Sequence, residues 1–300
     1  MKSLYDGVFG KSEEFVNFGK IIKKMNKSGD KELLQVDLDR VLRNKAGKRQ
    51  VPKFVVSLLK WIVREDFINE FLQRHHGKEG LDWSHAFLKE FNIKTKTYGE
   101  DNIPENGRFV FAANHPLGGT ESHVFMSVVG RHFSHIKFPV NDVLMNIRPM
   151  QTIFVPVNKF GGQNKDSIRI LNETFASDAQ ILIFPSGMAS RMISGEIQDL
   201  EWKKTFITKA IQHKRDVIPV FIEGRNSMFF YRLAKLRKFL GIKFNVEMLF
   251  LPREVLKQRG RTICLHFGKP ISWEHFDNSR SHKEWAKYVR EKVYAMKPDD

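Results

Sequence analysis

Between Arg108 and Ser122 the chain reads Arg-Phe-Val-Phe-Ala-Ala-Asn-His-Pro-Leu-Gly-Gly-Thr-Glu-Ser. The apolar run Phe109–Ala113 predicts a buried strand. The proline that follows His115 favours an extended backbone at that histidine, and the two glycines allow a tight turn. A helix is predicted to start after the turn, with Glu121 in its first turn.

This turn brings an imidazole and a carboxylate towards each other. In such a pair the carboxylate fixes the tautomer of the imidazole, which then acts as a general base. His115 and Glu121 are therefore the candidate catalytic residues. The same residues are also compatible with an ordinary strand-to-helix loop that contains a hydrogen-bonded histidine, so the choice depends on residues further along the chain.

The composition is that of a globular protein with an excess of positive charge. The chain has 300 residues, of which 41% are hydrophobic and 28% are charged, and its formal net charge is +16. Such an excess predicts an anionic partner, which is nucleic acid, an acidic lipid surface or a phosphorylated small molecule. The single cysteine, Cys264, excludes a disulfide bond within the chain.

Membrane-spanning and secretory signals are absent from the sequence. The longest apolar stretch, Phe54–Val63, is too short to cross a bilayer. The N-terminus lacks the apolar core of a signal peptide. We therefore expect a cytoplasmic protein whose contact with membranes is peripheral.

The hydrophobic period changes near residue 95. Before it, apolar residues recur at helical spacing, which predicts an N-terminal helical region over residues 1–95. After it, apolar β-branched runs alternate with helical stretches, which predicts an α/β domain over residues 96–300, built on a mostly parallel twisted sheet flanked by helices. The predicted strands are Phe109–Ala113, Ile136–Val140, Ile153–Val157, Ile181–Phe184, Val217–Ile222, Val246–Leu251 and Thr262–Phe267. The predicted helices of this part are Glu121–Arg131, Asp166–Ala176, Trp202–His213, Phe229–Leu240 and Ser281–Met296.

Polar or glycine-containing segments follow three more of the predicted strands, at residues 158–162, 185–191 and 224–226. Because ligands bind outside the carboxyl ends of parallel strands, we expect these segments to meet His115 at one edge of the sheet. Lys159, Arg191 and Arg225 are candidates for binding the anionic parts of a substrate. Each is equally compatible with a solvated surface cation.

Four motifs, taken in order, resemble the glycerolipid acyltransferase superfamily, which includes the 1-acyl-glycerol-3-phosphate acyltransferases. They are Asn-His-Pro-Leu-Gly-Gly at 114–119, Val-Pro-Val-Asn-Lys at 155–159, Ile-Phe-Pro-x-Gly at 183–187 and Gly-Arg-Asn-Ser at 224–227, and Val-Ile-Pro-Val at 217–220 adds to them. In these motifs the chain is similar to a bacterial branch usually labelled glycerol acyltransferase or hemolysin-like acyltransferase. The resemblance covers about residues 35–275 and implies a glycerol-3-phosphate acyltransferase-like fold and a role in lipid biosynthesis or phospholipid metabolism.

The resemblance also implies an activity. A fatty acyl group would pass from acyl carrier protein or coenzyme A, as co-substrate and without a further cofactor, to a hydroxyl of a lipid precursor. His115 would be the general base and Glu121 would hold its other ring nitrogen. Oxyanion donors are expected among the backbone N–H groups of Gly118, Gly119 and Gly187. The candidate substrate-binding residues are Asn114, Asn158, Lys159, Phe184, Pro185, Ser186, Arg191, Arg225 and Asn226.

Three positions differ from the pattern of the superfamily. Five residues rather than four separate His115 from its acid, and that acid is Glu121 rather than an aspartate. Ser186 replaces a glutamate, and Asn158-Lys159 replaces an acid and an arginine of the acceptor motif. The acceptor therefore stays open among a glycerol phosphate, a lysophospholipid and the hydroxyl of an N-acyl amino-acid lipid. The alternative function is a catalytically inactive lipid-binding protein on the same fold.

A basic amphipathic helix is predicted after the strand that ends at Ile222. Helices of this kind lie in the plane of an anionic bilayer, although a packed surface helix with solvated cations fits the pattern as well. The candidate membrane contacts are Phe229, Phe230, Lys235, Arg237 and Lys238.

Other classes of function find little support. Nucleic-acid binding lacks a zinc-finger spacing or an aromatic RNA-binding signature. His115, Glu121 and His123 do not have a recognised metal-ligand spacing, so no metal site is expected. The expected partners are acyl carrier protein or a coenzyme A thioester and the anionic inner face of the cell membrane, with no nucleic acid.

Overall fold

The computed structural model describes residues 52–141, 144–145, 147–157, 165–242 and 245–298. The first 51 residues of the predicted N-terminal helical region, together with Asn158 and Lys159, lie outside these described residues. The helices are α1 (Lys53–Val63), α2 (Glu65–Arg74), α3 (Gly80–Glu90), α4 (Thr120–His132), α5 (Lys165–Ala176), α6 (Thr205–Gln212), α7 (Met228–Phe239), α8 (Leu251–Leu256) and α9 (His282–Tyr294). The strands are β1 (Lys94–Tyr98), β2 (Phe109–Ala113), β3 (Ile136–Asn141), β4 (Phe154–Val157), β5 (Gln180–Ile183), β6 (Arg191–Ile193), β7 (Glu196–Gln198), β8 (Asp216–Ile222) and β9 (Thr262–Phe267).

Within the described part of the chain, seven strands form one sheet in the order β1-β9-β8-β2-β5-β3-β4. The five strands from β8 to β4 are parallel to one another. β9 is antiparallel to β8, and β1 is parallel to β9. The predicted fold class, a mostly parallel sheet flanked by helices, is confirmed.

Helices cover both faces of the sheet, as the burial of β2 explains. Successive side chains of a strand point to opposite faces. Phe109 and Phe111 therefore pack in a core formed with α2, α3 and α4, whereas Val110 and Ala112 pack in a second core formed with α5, α6 and α9. A central strand buried on both faces reads as a continuous apolar run, which is the pattern that made β2 predictable.

Two segments differ from the prediction. The predicted strand Val246–Leu251 is wrong, because Val246–Phe250 is a 3-10 helix that leads into α8. A short apolar run does not have a period that separates strand from helix, and Pro252 suits the first turn of a helix. Strand β1 was not predicted, because its Lys-Thr-Lys-Thr-Tyr sequence forms the exposed edge of the sheet and lacks an apolar signal.

The predicted boundary between residues 95 and 96 falls inside β1. Phe71 of α2 and Phe87 of α3 belong to the same core as Phe111 of β2. The described N-terminal helices thus pack directly on the sheet. None of the described helices combines the length and the apolarity that crossing a bilayer requires.

Candidate active site

Three motif-bearing loops meet at one edge of the sheet. β2 lies between β5 and β8 and is parallel to both, so their carboxyl ends are neighbours. The loops are also hydrogen-bonded to each other. The backbone N–H of Ser190 donates to the carbonyl of His115 at 2.7 Å, and the side-chain amide of Asn226 donates to the carbonyl of Pro116 at 3.4 Å.

His115 and Glu121 face each other in this cluster of loops. Nδ1 of His115 lies 2.9 Å from Oε1 of Glu121. The Glu121 side chain is fully buried, and that of His115 is 16% exposed. Because the carboxylate can only accept, Nδ1 carries the proton and the lone pair lies on Nε2. This is the tautomer that a general base requires.

The loop between these two residues surrounds the Glu121 carboxylate with donors. Oε1 accepts the backbone N–H groups of Leu117 at 2.7 Å and Gly118 at 2.9 Å, and Oε2 accepts that of Gly119 at 2.8 Å. Burial alone raises the pKa of the Glu121 carboxyl, but the charge and hydrogen bond of His115 and these N–H groups hold that pKa below its ordinary value. The dipole of α4 acts in the same direction, so Glu121 is ionised at neutral pH.

The three glycines predicted as oxyanion donors have their N–H groups engaged elsewhere. Gly118 and Gly119 donate to Glu121, and Gly187 donates to the carbonyl of Phe184 at 2.9 Å. A backbone N–H has a single proton, so these groups stabilise the loops instead of facing an oxyanion. The geometry therefore argues against this prediction.

Phe184 holds the ring of His115. The rings of His115 and Phe184 are stacked, with their centroids 4.1 Å apart and an angle of 15° between their planes. Phe184 in turn contacts the rings of Phe125 and Phe138, at 6.0 and 5.1 Å. The Phe184 side chain was predicted to bind substrate. In the structure it links the His115 imidazole to the apolar core.

A cleft with mainly apolar walls borders Phe184. It encloses about 660 Å³, part of which is open to solvent. Its other apolar walls include Val140, Val157, Leu171, Phe175, Ile183 and Phe206. Lys203 also lines the cleft, as do Pro185 and Gly187.

A second buried carboxylate, Asp199, holds the backbone of His115. Its Oδ1 accepts the N–H of His115 at 3.1 Å and the hydroxyl of Ser190 at 2.6 Å, and its Oδ2 accepts the indole N–H of Trp202 at 2.9 Å. Burial raises the pKa of the Asp199 carboxyl, against the effect of these hydrogen bonds. Asp199 was not predicted from the sequence, because it follows no predicted strand and lies 84 residues from His115.

Comparison with known proteins identifies the family. The sequence family described as acyltransferase matches residues 40–299. The chain belongs to this family. The assignment made from the motifs is confirmed, and the protein is an acyltransferase.

The acyltransferase is similar to two curated proteins, each named lyso-glycine lipid O-acyltransferase. It is 43% identical to that of Phocaeicola vulgatus over 277 residues, which cover 91% of this chain and 99% of the relative. It is 47% identical to that of Bacteroides thetaiotaomicron over 270 residues, which cover 89% of this chain and 99% of the relative. The crystal structure of the 1-acyl-sn-glycerophosphate (LPA) acyltransferase PlsC from Thermotoga maritima is similar at a TM-score of 0.43 and 17% identity, over 82% of this chain and 99% of that chain.

Asn114 of the acyltransferase joins two strands and does not face a substrate. Its Nδ2 donates to the carbonyl of Ile222 at 2.9 Å, and its Oδ1 accepts the N–H of Ile222 at 2.7 Å. The residue is 3% exposed. Both polar atoms thus hold the end of β2 against the end of β8, which corrects its predicted substrate-binding role.

Arg191 is also committed to the fold. Its guanidinium donates to Glu247 at 3.0 Å and to the carbonyl of Ala189 at 2.7 Å. Arg237 lies 3.0 Å from the second oxygen of Glu247, which is itself fully buried. Burial lowers the pKa of Arg191, and the charge of Glu247 opposes this effect. This buried group of two cations and one anion contradicts the prediction that Arg191 binds an anionic substrate.

Three further residues that were predicted to bind substrate differ in how exposed their side chains are. Ser186 is 5% exposed, and its hydroxyl donates to the carbonyl of Met188 at 2.8 Å. Asn226 is 2% exposed and joins the loops. Arg225, in contrast, is exposed after the end of β8. Among these three residues, only Arg225 presents its side chain to an incoming molecule.

The burial of residues on α7 partly corrects the predicted membrane contacts. Phe229 is 50% exposed, whereas Phe230 is fully buried beneath the guanidinium of Arg191. Lys235 and Lys238 are exposed. Arg237 is largely buried against Glu247, so Phe230 and Arg237 do not belong to the exposed face of the helix.

Proposed function

We propose that this acyltransferase moves a fatty acyl group from an acyl thioester to the free hydroxyl of an N-acylated amino-acid lipid. The observation that carries the proposal is the His115–Glu121 pair, which has the geometry of a general base with its orienting acid. The names of the two curated relatives support the acceptor, since both are lyso-glycine lipid O-acyltransferases. The thioester is that of acyl carrier protein or coenzyme A.

The reaction follows from the tautomer of His115. The acceptor hydroxyl loses its proton to Nε2 as its oxygen attacks the thioester carbonyl carbon. The tetrahedral intermediate then collapses, the carbon–sulfur bond breaks, and the thiolate takes the proton back from the imidazolium. Glu121 remains ionised throughout and stabilises the imidazolium. No covalent bond to the enzyme forms in this sequence.

The apolar cleft beside Phe184 is suited to a fatty acyl chain. Its lining is mainly aliphatic and aromatic, and Phe184 links it to the base. Each methylene group that such a cleft buries contributes about 0.8 kcal/mol to the binding of an acyl chain.

The described site offers an exposed cation to an acidic group of the acceptor. Arg191 is occupied by Glu247, and Ser186 is neutral and buried. Arg225 is exposed at the carboxyl end of β8 and is the cation that we assign to a carboxylate on the acceptor. Because both acceptor and product are lipids, we also propose that the enzyme works at the inner face of the cell membrane.

The experiment combines purified protein with acyl carrier protein or coenzyme A thioesters and a panel of acceptors. The panel contains N-acyl amino-acid lipids with a free hydroxyl, lysophospholipids and glycerol 3-phosphate, and mass spectrometry identifies the product. We expect O-acylation of the amino-acid lipid. Formation of product only from glycerol 3-phosphate or a lysophospholipid would overturn the acceptor. Absence of product from every pair would favour the inactive lipid-binding protein.

The role of the base is tested in the same assay. His115→Ala should lower turnover by about three orders of magnitude or more, because the acceptor hydroxyl then has no base. Thermal unfolding should show that the variant folds. His132→Ala, which removes an exposed histidine that pairs with Glu100, is the matched control and should turn over normally. Near-normal turnover by His115→Ala would contradict the assignment.

A further inference from the structure

Helix α1 leaves one apolar face open to solvent. Phe54, Leu58 and Trp61 are 73, 51 and 59% exposed. Positions four and three residues apart lie on the same side of a helix, so the three side chains form one stripe. Contiguous exposed apolar groups of this size mark an interaction site.

Helix α7 carries a second stripe. Phe229, Leu236 and Phe239 are 50, 52 and 86% exposed, and Leu240 just beyond the helix is 57% exposed. The opposite side of the helix is buried through Phe230, Tyr231 and Ala234. The exposed stripe is therefore a property of one side of α7 and not a sign of a loosely packed helix.

The two helices flank one segment, residues 246–256, on which both of them pack. The ring of Phe229 lies 5.1 Å from that of Phe250. On the other side, the guanidinium of Arg253 lies 3.6 Å from the centre of the Trp61 ring and donates to the Trp61 carbonyl at 3.1 Å. We call the exposed apolar residues of the two helices the α1–α7 surface; they are Phe54, Leu58, Trp61, Phe229, Leu236, Phe239 and Leu240.

The charged residues on the two helices themselves are all basic. Neither α1 nor α7 contains an aspartate or a glutamate. Lys53 on α1 and Arg232, Lys235 and Lys238 on α7 are exposed. The two acids of the intervening segment, Glu247 and Glu254, are buried and paired with cations. A second copy of this chain would bring cations against cations, whereas an anionic bilayer matches both the apolar groups and the charge.

The segment beneath the surface also packs on the catalytic loop. A Cβ atom added to Gly118 would lie 2.8 Å from the side chain of Leu251, the first residue of α8. One layer of short helix thus separates the α1–α7 surface from the loop between His115 and Glu121. We propose that this surface docks the enzyme on an anionic bilayer, so that an acceptor lipid reaches the base without leaving the membrane. The inference rests on the proposed function for its lipid acceptor.

The test measures partitioning onto vesicles of phosphatidylcholine with and without phosphatidylglycerol. The fourfold variant Phe54→Ser/Leu58→Ser/Leu236→Ser/Phe239→Ser should bind anionic vesicles at least about tenfold more weakly than the unaltered chain, because the apolar contacts are lost. Lys235→Gln/Lys238→Gln should weaken binding to anionic vesicles and reduce its dependence on salt. The matched controls remove exposed apolar and basic residues elsewhere, as Ile168→Ser/Met192→Ser and Lys269→Gln/Lys297→Gln, and should bind like the unaltered chain.

Activity separates this inference from the proposed function. All variants should acylate a short-chain, water-soluble acceptor normally, while the fourfold variant should lose most activity on acceptor embedded in vesicles. Inactivity of the unaltered chain on the soluble acceptor would count against the proposed function alone, since vesicle binding is measured separately. Unchanged vesicle binding by the fourfold variant would overturn the docking surface. If the unaltered chain forms dimers and the fourfold variant does not, the surface is an interface between two copies, and the docking proposal is overturned. A lower melting temperature of the variant with unchanged vesicle binding would also overturn it, because the surface would then pack against another part of the chain.

Discussion

Glu121 shows how one carboxylate holds both the His115 ring and the loop before α4. It accepts hydrogen bonds from the His115 ring and from three successive backbone N–H groups. A glutamate in the first turn of α4 is long enough to reach back to all of them. The longer spacing between His115 and its acid and the longer acidic side chain are thus two parts of one arrangement.

We expect Glu121→Gln to lower kcat by about a thousandfold, because the imidazolium loses its counter-charge and an amide N–H replaces one acceptor. Glu121→Asp should also lower kcat strongly, since the shorter side chain cannot reach both His115 and the loop. Steady-state kinetics and thermal unfolding measure the two effects. The interpretation would be wrong if the aspartate variant kept full activity.

Asp199 accepts the backbone N–H of His115, so we expect it to act on the reaction by positioning this residue. Asp199→Asn should lower kcat about tenfold with little change in KM, because a small displacement of the base slows the chemical step. Trp202→Phe is the matched control, since it removes the hydrogen bond to Oδ2 and leaves the contact of Oδ1 with His115. It should lower the melting temperature and spare kcat. Equal effects of both changes on kcat would show that Asp199 is merely structural.

At the scale of elements, α7 is attached to the sheet domain by a buried ion group. Glu247 lies between Arg191 of β6 and Arg237 of α7 and is fully buried. Phe230 packs against the Arg191 guanidinium at 5.2 Å, which adds a contact between the same elements. The buried side of α7 is therefore held firmly against the rest of the protein, while its other side is exposed.

Glu247→Gln should lower the free energy of unfolding by about 3 kcal/mol or more, because two buried guanidinium groups are left without an anion. Urea unfolding measures the change. The control Glu201→Gln removes an ion pair with Lys283 in which both side chains are about 70% exposed, and it should leave the stability nearly unchanged. Equal stability losses for the two variants would contradict the importance of the buried group.

At the scale of the whole molecule, we expect His123 to make stability depend on pH. It is partly buried in α4, its ring stacks on Phe87 at 4.2 Å, and Nδ1 lies 3.1 Å from the Ser84 hydroxyl. Burial lowers the pKa of His123 from 6.5 to about 4, against the opposing charge of Glu121. Between these two values the unfolded chain binds a proton that the native chain does not bind.

The free energy of unfolding should therefore decrease as the pH falls from 6.5 to about 4, by on the order of 3 kcal/mol from this residue, and His123 should add no further loss below that window. His123→Gln removes the titration and should flatten the curve. His132→Gln, which changes an exposed histidine, should follow the curve of the unaltered chain. Urea unfolding across the window measures all three proteins, and identical slopes for the two variants would exclude His123 as the cause.

The local sequence pattern was sufficient to predict the pairing of His115 with Glu121 and most strands of the central sheet. His115 and Glu121 are close in sequence, so the turn that joins them also brings them together. The strands β2 and β9 were predicted with their observed bounds, because their apolar residues mark them in the chain. β1 lacks an apolar run and was therefore not predicted. Val246–Phe250 has an apolar run but forms a 3-10 helix, so a strand was wrongly predicted there.

The sequence by itself determined the strand–turn–helix unit, the order of most elements and the acyltransferase family. Only the tertiary structure decided which polar groups are available. Asp199 reaches the backbone of His115 across 84 residues, and Arg191 meets Glu247 across 56. It also decided that Phe230 is buried while its neighbour Phe229 is exposed. The physical reason is that a residue type states what a side chain can bind, whereas its partner is set by the packing of elements that are distant along the chain.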